Sequence, residues 1–116
     1  MINTETFIKM LSDPTRLRCL MLLLQEGELC VCELTWALSD IQPKISRHLA
    51  ILRDAEIVTD QRAGQWIYYQ INPDLPLWAT DILDATLCGA REQKTFVQDL
   101  KKLQKMPRRP QNRMCA

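Results

Sequence analysis

Gln42-Pro43-Lys44-Ile45-Ser46-Arg47-His48-Leu49 is the stretch that decides the fold. Proline is tolerated in the first turn of a helix, where its missing N–H would be unpaired anyway, and Pro43 stands at such a start. Ile45, Leu49 and Leu52 then recur at helical spacing and define a buried side. The opposite side carries Lys44, Arg47 and His48. Between Gln42 and Arg53 there is no acid, so the segment is a cationic island in a chain of 116 residues whose formal net charge is only +1.

Just upstream, Ser39-Asp40 is a polar turn pair, and Glu28 to Leu38 reads as a further short helix with Leu29, Leu34 and Leu38 pointing inward. Two short helices joined by a tight turn, the second basic on its outer face, describe a helix-turn-helix whose second helix enters the major groove. Lys44 and Arg47 supply charge for phosphates, while Gln42, Ser46, Arg47 and His48 carry donors and acceptors suited to base edges. Downstream the pattern changes period. Ile57-Val58-Thr59 and Trp66-Ile67-Tyr68-Tyr69-Gln70-Ile71 are branched and aromatic, separated by Arg62-Ala63-Gly64-Gln65. This predicts a hairpin wing whose tip residues, Arg62 and Gln65, touch an adjacent backbone or minor groove. The competing reading of the pattern is a solvated face in a small helical domain.

Further out, Phe7, Ile8, Met10 and Leu11 recur at helical spacing, and Ser12-Asp13-Pro14 starts a second helix running to about Gln25 and stopping before Gly27. Beyond Asn72-Pro73, Leu75 to about Lys102 is helical in pattern, with Gly89 as a candidate break. Past Met106 the apolar periodicity ends, which predicts a mobile tail. The class is therefore mainly α with a β-hairpin wing, a winged helix-turn-helix. Residues 1–90 form the DNA-binding domain, and 91–116 a basic helical extension and flexible tail.

The length fits one domain, and 47% hydrophobic with 25% charged residues is the balance of a folded globular chain. The longest apolar run, Cys19 to Leu24, is far short of the roughly 20 residues of a membrane span. Glu5 and Lys9 interrupt the start where a secretory signal would be apolar, so the expected compartment is the cytoplasm, with no membrane partner. Charge is unevenly placed: residues 1–90 hold seven Lys and Arg against twelve acids, and 91–116 hold eight against two. The basic run from Lys101 to Arg113 is either a set of nonspecific phosphate contacts or a solvated tail.

Five cysteines in a reducing compartment are better explained by burial or ligand chemistry than by a disulfide framework. Cys19, in the apolar second helix, and Cys88, in the last, read as packing residues. Cys30 and Cys32 differ, being paired beside the helix-turn-helix. Residues two apart project about 200° from each other on a helix, so the pair grips one ion only at a helix start, where closing the chelate should unwind or tilt the first turn. Two thiolates without a neighbouring histidine suit a soft, thiophilic ion such as arsenite or antimonite better than a closed four-ligand zinc site.

Ser12-Asp13-Pro14-Thr15-Arg16-Leu17, Glu28-Leu29-Cys30-Val31-Cys32-Glu33-Leu34, the Gln42 to Leu49 run and Gly64-Gln65-Trp66-Ile67-Tyr68-Tyr69 together resemble the ArsR/SmtB family of metal-responsive repressors. The resemblance covers about residues 5–90, and Glu-Leu-Cys-Val-Cys is similar to the arsenic-responsive ArsR branch in particular. It implies a homodimer joined through the first and last helices on a partly palindromic operator, with Phe7, Ile8, Leu77, Trp78 and Ile82 at the interface. It also implies release from DNA when As(III) or Sb(III) binds Cys30 and Cys32, with no organic cofactor. In that branch a third cysteine follows three residues after the second; here the position is Thr35, which leaves two thiolates with a solvent or small-thiol third ligand, or Cys115 from the tail. Relatives that sense Zn, Ni or Co use His and carboxylates on the last helix, but Asp81 and Asp84 stand there without a histidine and read as surface acids. A thiol redox switch and a Cd(II) or Pb(II) sensor remain alternatives. A small thiol enzyme or arsenic carrier lacks a base to activate a nucleophile, since the single histidine, His48, is on the DNA-reading helix.

Overall fold

Two capped starts set the helical frame. Asn3 Oδ1 accepts a hydrogen bond from the Thr6 N–H at 2.8 Å, and Asp13 Oδ2 accepts from that of Arg16 at 3.0 Å, with Pro14 in the first turn. In the computed structural model, which describes residues 2–110, these open α1 (Thr4–Leu11) and α2 (Pro14–Glu26). Gly27 ends α2 at φ 92, a left-handed angle that a side chain would strain.

The chain then leaves Gly27 extended, and here the structure departs from the sequence reading. Glu28–Cys30 is a short strand, β1, and the third helix, α3, begins at Val31 and runs to Leu38 rather than starting at Glu28. The reason is the free edge of the wing: β1 pairs antiparallel with a wing strand, Cys30 opposite Tyr68 and Glu28 opposite Gln70. Backbone pairing there replaces the hydrogen bonds a helix would supply.

Helix α4 (Gln42–Asp54) follows α3 across Ser39, Asp40 and Ile41, where Ser39 takes the left-handed φ of 54. Strands β2 (Val58–Ala63) and β3 (Trp66–Ile71) form the expected hairpin, closed by Gly64 at φ 63 and Gln65. The sheet order is β1-β3-β2, so β3 is central. The expected last helix is two: α5 (Leu77–Ala90) and α6 (Lys94–Gln104). The break falls at 91–93, with Gln93 extended, and Gly89 lies inside α5. That turn brings Phe96, Asp99 and Leu103 into the core, where Arg18 donates to both Asp99 oxygens at 2.9 and 2.8 Å. The helical part of 91–116 is thus a layer of the same core as α2 and α3.

Leu20, Leu22, Leu23, Leu34, Ile45, Leu49 and Leu52 are fully buried, so α2 is the spine against which both helix-turn-helix elements pack. No helix among the described residues is long and apolar enough to cross a membrane.

Candidate functional site

Burying Ile45, Leu49 and Leu52 fixes how α4 is rotated, and thereby which residues it presents outward. Gln42 and Arg47 are exposed, while Lys44 and Ser46 are half-buried. The Lys44 ammonium lies 2.9 Å from Asp40 Oδ2, one helical turn back, so part of its charge is already answered within the chain. At the wing tip Arg62 and Gln65 are exposed, and Trp66 beside them is 37% exposed.

His48 is a correction to the outward-facing set. Its side chain is only 12% exposed and turns toward the start of α2, with Nδ1 3.3 Å from Arg16 Nη1 and 3.8 Å from Asp13 Oδ2. Burial lowers its pKa below the ordinary histidine value; Asp13 opposes this, and Arg16, Arg47 and Lys44 add to it. A covered imidazole held neutral ties α4 to α2 and is poorly placed to meet a phosphate.

Cys30 ends β1 and caps α3; Cys32 sits in the first turn of α3. Because Cys30 is extended, at φ −83 and ψ 164, the two Cα atoms are 5.4 Å apart and the sulfurs meet as a disulfide with α3 fully formed. The distortion expected of a helical Cys-x-Cys pair is therefore unnecessary: the strand-to-helix corner already turns both thiols to one side. The Cys30 N–H donates to Glu33 Oε1 at 2.9 Å, one arm of a capping box. The other Glu33 oxygen accepts from Arg109 Nε, and Arg109 also reaches Glu26 at 3.1 Å. Glu33 is 3% exposed, so this buried carboxylate joins the thiol corner to the segment after α6.

Two cavities meet at Cys32. One, of about 190 Å³, is bordered by Cys30 and Cys32, by Gln42 and Ser46 of α4, and by Gln65 and Trp66 of the wing. The other, of about 530 Å³, lies between α3 and the end of α6, bordered by Cys32, Thr35, Trp36, Gln42, Lys102 and Met106.

The remaining expected residues divide. Ile8 and Leu77 are 50% and 75% exposed, and Trp78 and Ile82 are half-buried. Phe7 is fully buried and meets Trp78 edge to face at 5.4 Å, so it backs Trp78 from inside the chain and is not itself exposed to a partner. Cys19 is buried, which pushes its thiol up to about 12 and keeps it protonated. Cys88 is exposed on α5 of the single chain. Asp81 and Asp84 are exposed, and among the described residues no three His, Cys, Asp or Glu side chains are grouped to hold a metal ion. Of the basic run, Lys102 donates to Ser39 and Arg109 is engaged by two carboxylates; Arg113 and Cys115 lie outside the described residues.

Glu33, Arg109 and the Trp36–Met106 cavity were not anticipated. The Cys-x-x-Glu spacing from Cys30 was a visible signal for the first, since a capping box places the acid three residues after the cap.

A two-helix reading unit, a hairpin wing and a thiol pair at the root of both define a winged helix-turn-helix regulator. Residues 13–60 match the family model described as bacterial regulatory protein, arsR family. The chain is 54% identical over 87 residues to an arsenic resistance transcriptional regulator of Pseudomonas putida, covering 75% of this chain and 76% of that protein. It is 45% identical over 93 residues to an arsenical resistance operon repressor of Escherichia coli, covering 79% and 80%. Among solved structures, the antimony-specific transcriptional repressor AntR superposes with a TM-score of 0.63 at 30% identity, covering 79% of this chain and 86% of that one. The chain belongs to the ArsR family of bacterial transcriptional regulators.

Proposed function

We propose that the chain is a cytoplasmic, homodimeric repressor of arsenic-resistance genes that leaves its operator when As(III) or Sb(III) binds the reduced Cys30–Cys32 pair. One observation carries the reading: the thiols border the same cleft as Gln42 and Ser46 of the reading helix and Gln65 and Trp66 of the wing. An ion bound there acts on both DNA-contacting elements at once. Cys30 is also paired with Tyr68 in the central wing strand, so a displacement of its sulfur is passed to the wing through backbone hydrogen bonds. An inducer shifts an equilibrium only by binding one conformation better than the other. The bound ion replaces two free thiols with a fixed bridge, and that bridge favours a spacing of reading helix and wing different from the one DNA requires.

Gln42, Lys44, Ser46 and Arg47 address the major groove, with Arg62 and Gln65 on the flanking backbone. Ile8, Leu77, Trp78 and Ile82 form the contact between copies, setting two reading helices on two half-sites. The names of the relatives, which concern arsenic and antimony, support the choice of inducer.

The test is operator binding by the reduced protein, titrated with arsenite, antimonite, Cd(II), Pb(II) and peroxide. Arsenite or antimonite should release the DNA at the lowest concentration, and a Cys30→Ser, Cys32→Ser double variant should bind the operator but ignore both. Release of that variant by arsenite would remove the assignment. A second reading, in which oxidation of the pair is itself the signal, is favoured by the sulfurs meeting as a disulfide; peroxide acting ahead of every ion would select it.

A further inference from the structure

Among the described residues, Thr35 Oγ1 is the buried side-chain polar atom with no hydrogen-bond partner. A hydroxyl left so is expensive, because burial removes its water without supplying a replacement. Thr35 is also placed with respect to the thiols: it lies three residues after Cys32 in α3, on the same helical face, and borders the same cavity of about 530 Å³. We infer that Thr35 is a positioning and specificity residue for the inducer, its hydroxyl, enclosed in the ligand-free chain, turning about the Cα–Cβ bond to hydrogen-bond the hydroxide that occupies the third coordination position of As(III). This rests on the proposal that Cys30 and Cys32 bind As(III).

The chemistry is balanced without an oxidant. Arsenous acid, As(OH)3, condenses with two thiols to give two As–S bonds and two waters, and the arsenic keeps its oxidation state and one hydroxyl. That hydroxyl is both donor and acceptor, as is the threonine, so one hydrogen bond in either direction pairs the two groups. The cavity leaves room on the Cys32 side for the third substituent, with Trp36 and Met106 forming apolar walls beyond it. No third sulfur is required in α3, and the hydroxyl makes the site favour a hydroxo-arsenic over one whose third substituent is carbon.

Methylarsenite supplies the matched control, since condensation with two thiols removes both its hydroxyls and leaves a methyl group where arsenite keeps one. Binding of arsenite and of methylarsenite to the reduced full-length chain is measured for the wild type, Thr35→Val and Thr35→Ser. Valine keeps the shape and removes the hydroxyl. The expected result is a loss of about threefold to tenfold in arsenite affinity for Thr35→Val, the worth of one hydrogen bond, with methylarsenite binding unchanged or tighter. Thr35→Ser should restore the arsenite preference. Thr35→Val should also raise the thermal midpoint of the free protein, because it removes an unpaired buried hydroxyl, so a fall in arsenite affinity cannot be put down to lost folding. Equal losses for both arsenicals, or no loss for either, would overturn the role of Thr35 while leaving the thiol pair intact. Binding of neither arsenical to the wild type, or of both to the Cys30→Ser, Cys32→Ser variant, would instead overturn the reading on which it rests.

Discussion

At its N-terminal end α3 is fastened by three devices: the β1 pairing of Cys30 with Tyr68, the Glu33 bond to the Cys30 N–H, and the hold of Arg109 on Glu33. At its C-terminal end, eight residues on, the same helix runs out through Ser39 in a left-handed conformation to Asp40 and an Ile41 that is 64% exposed. The first end carries the thiols and the second delivers the chain into the reading helix. A helix of eight residues is about 12 Å long and stiff over that distance. The contrast teaches that the two ends are held by different partners, the thiol end by the central wing strand and Arg109 and the far end by Arg18 on Leu38 and Lys102 on Ser39, so a ligand acting at the thiols would work on a short rigid element with its own anchor at each end.

Weakening the thiol end should give the largest change. Glu33→Ala removes the cap from Cys30 and leaves Arg109 with Glu26 alone, which should cost about 1–3 kcal/mol in urea unfolding. Glu33→Gln keeps an acceptor for the Cys30 N–H and should lose less. Equal stability of wild type and Glu33→Ala would show that the N-terminal end is not held as described. At the reading end, Arg47→Ala should weaken operator binding about tenfold and lower the slope of log affinity against log salt by about 1, without altering the thermal midpoint. An unchanged slope would place Arg47 away from the phosphates.

The smallest effect concerns His48, which ties the reading helix to α2. Its folded pKa is lowered, with burial as the main cause, so between that value and about 6.5 the unfolded chain binds more protons. Stability should therefore fall as pH drops below about 6.5 and level off once the folded imidazole protonates as well. His48→Asn should flatten that part of the profile; a profile identical to the wild type's would remove the imidazole from the account.

The reading unit was legible because its signals are local. A basic run bounded by a polar turn, Pro43 at a helix start, and apolar residues at helical spacing all lie within the segment they describe. What escaped depends on distant partners. β1 forms because β3 offers a free edge some forty residues later, and its Leu29 to Leu34 gap of five was the only local hint that one helix did not span both. His48 turns inward because Arg16 and Asp13 wait on α2, a contact across 32 residues to Arg16 that no helical periodicity contains. Arg109 reaches Glu33 across 76 residues, which is why a segment read as loose tail is fixed to the thiol corner through that residue. The cysteine pair was found, but its geometry was not, since the corner that brings the sulfurs together is made by the unanticipated strand.

Coupling between thiols and DNA is most directly tested by reciprocity. Arsenite affinity is measured for the reduced protein alone and again with saturating operator. If arsenite and DNA favour different conformations, the operator must weaken arsenite binding by the same factor by which arsenite weakens operator binding, in the range of about 5–150-fold. Equal arsenite affinity in the free and operator-bound protein would contradict the account, because the thiol pair would then bind its ion without acting on the reading helix or the wing.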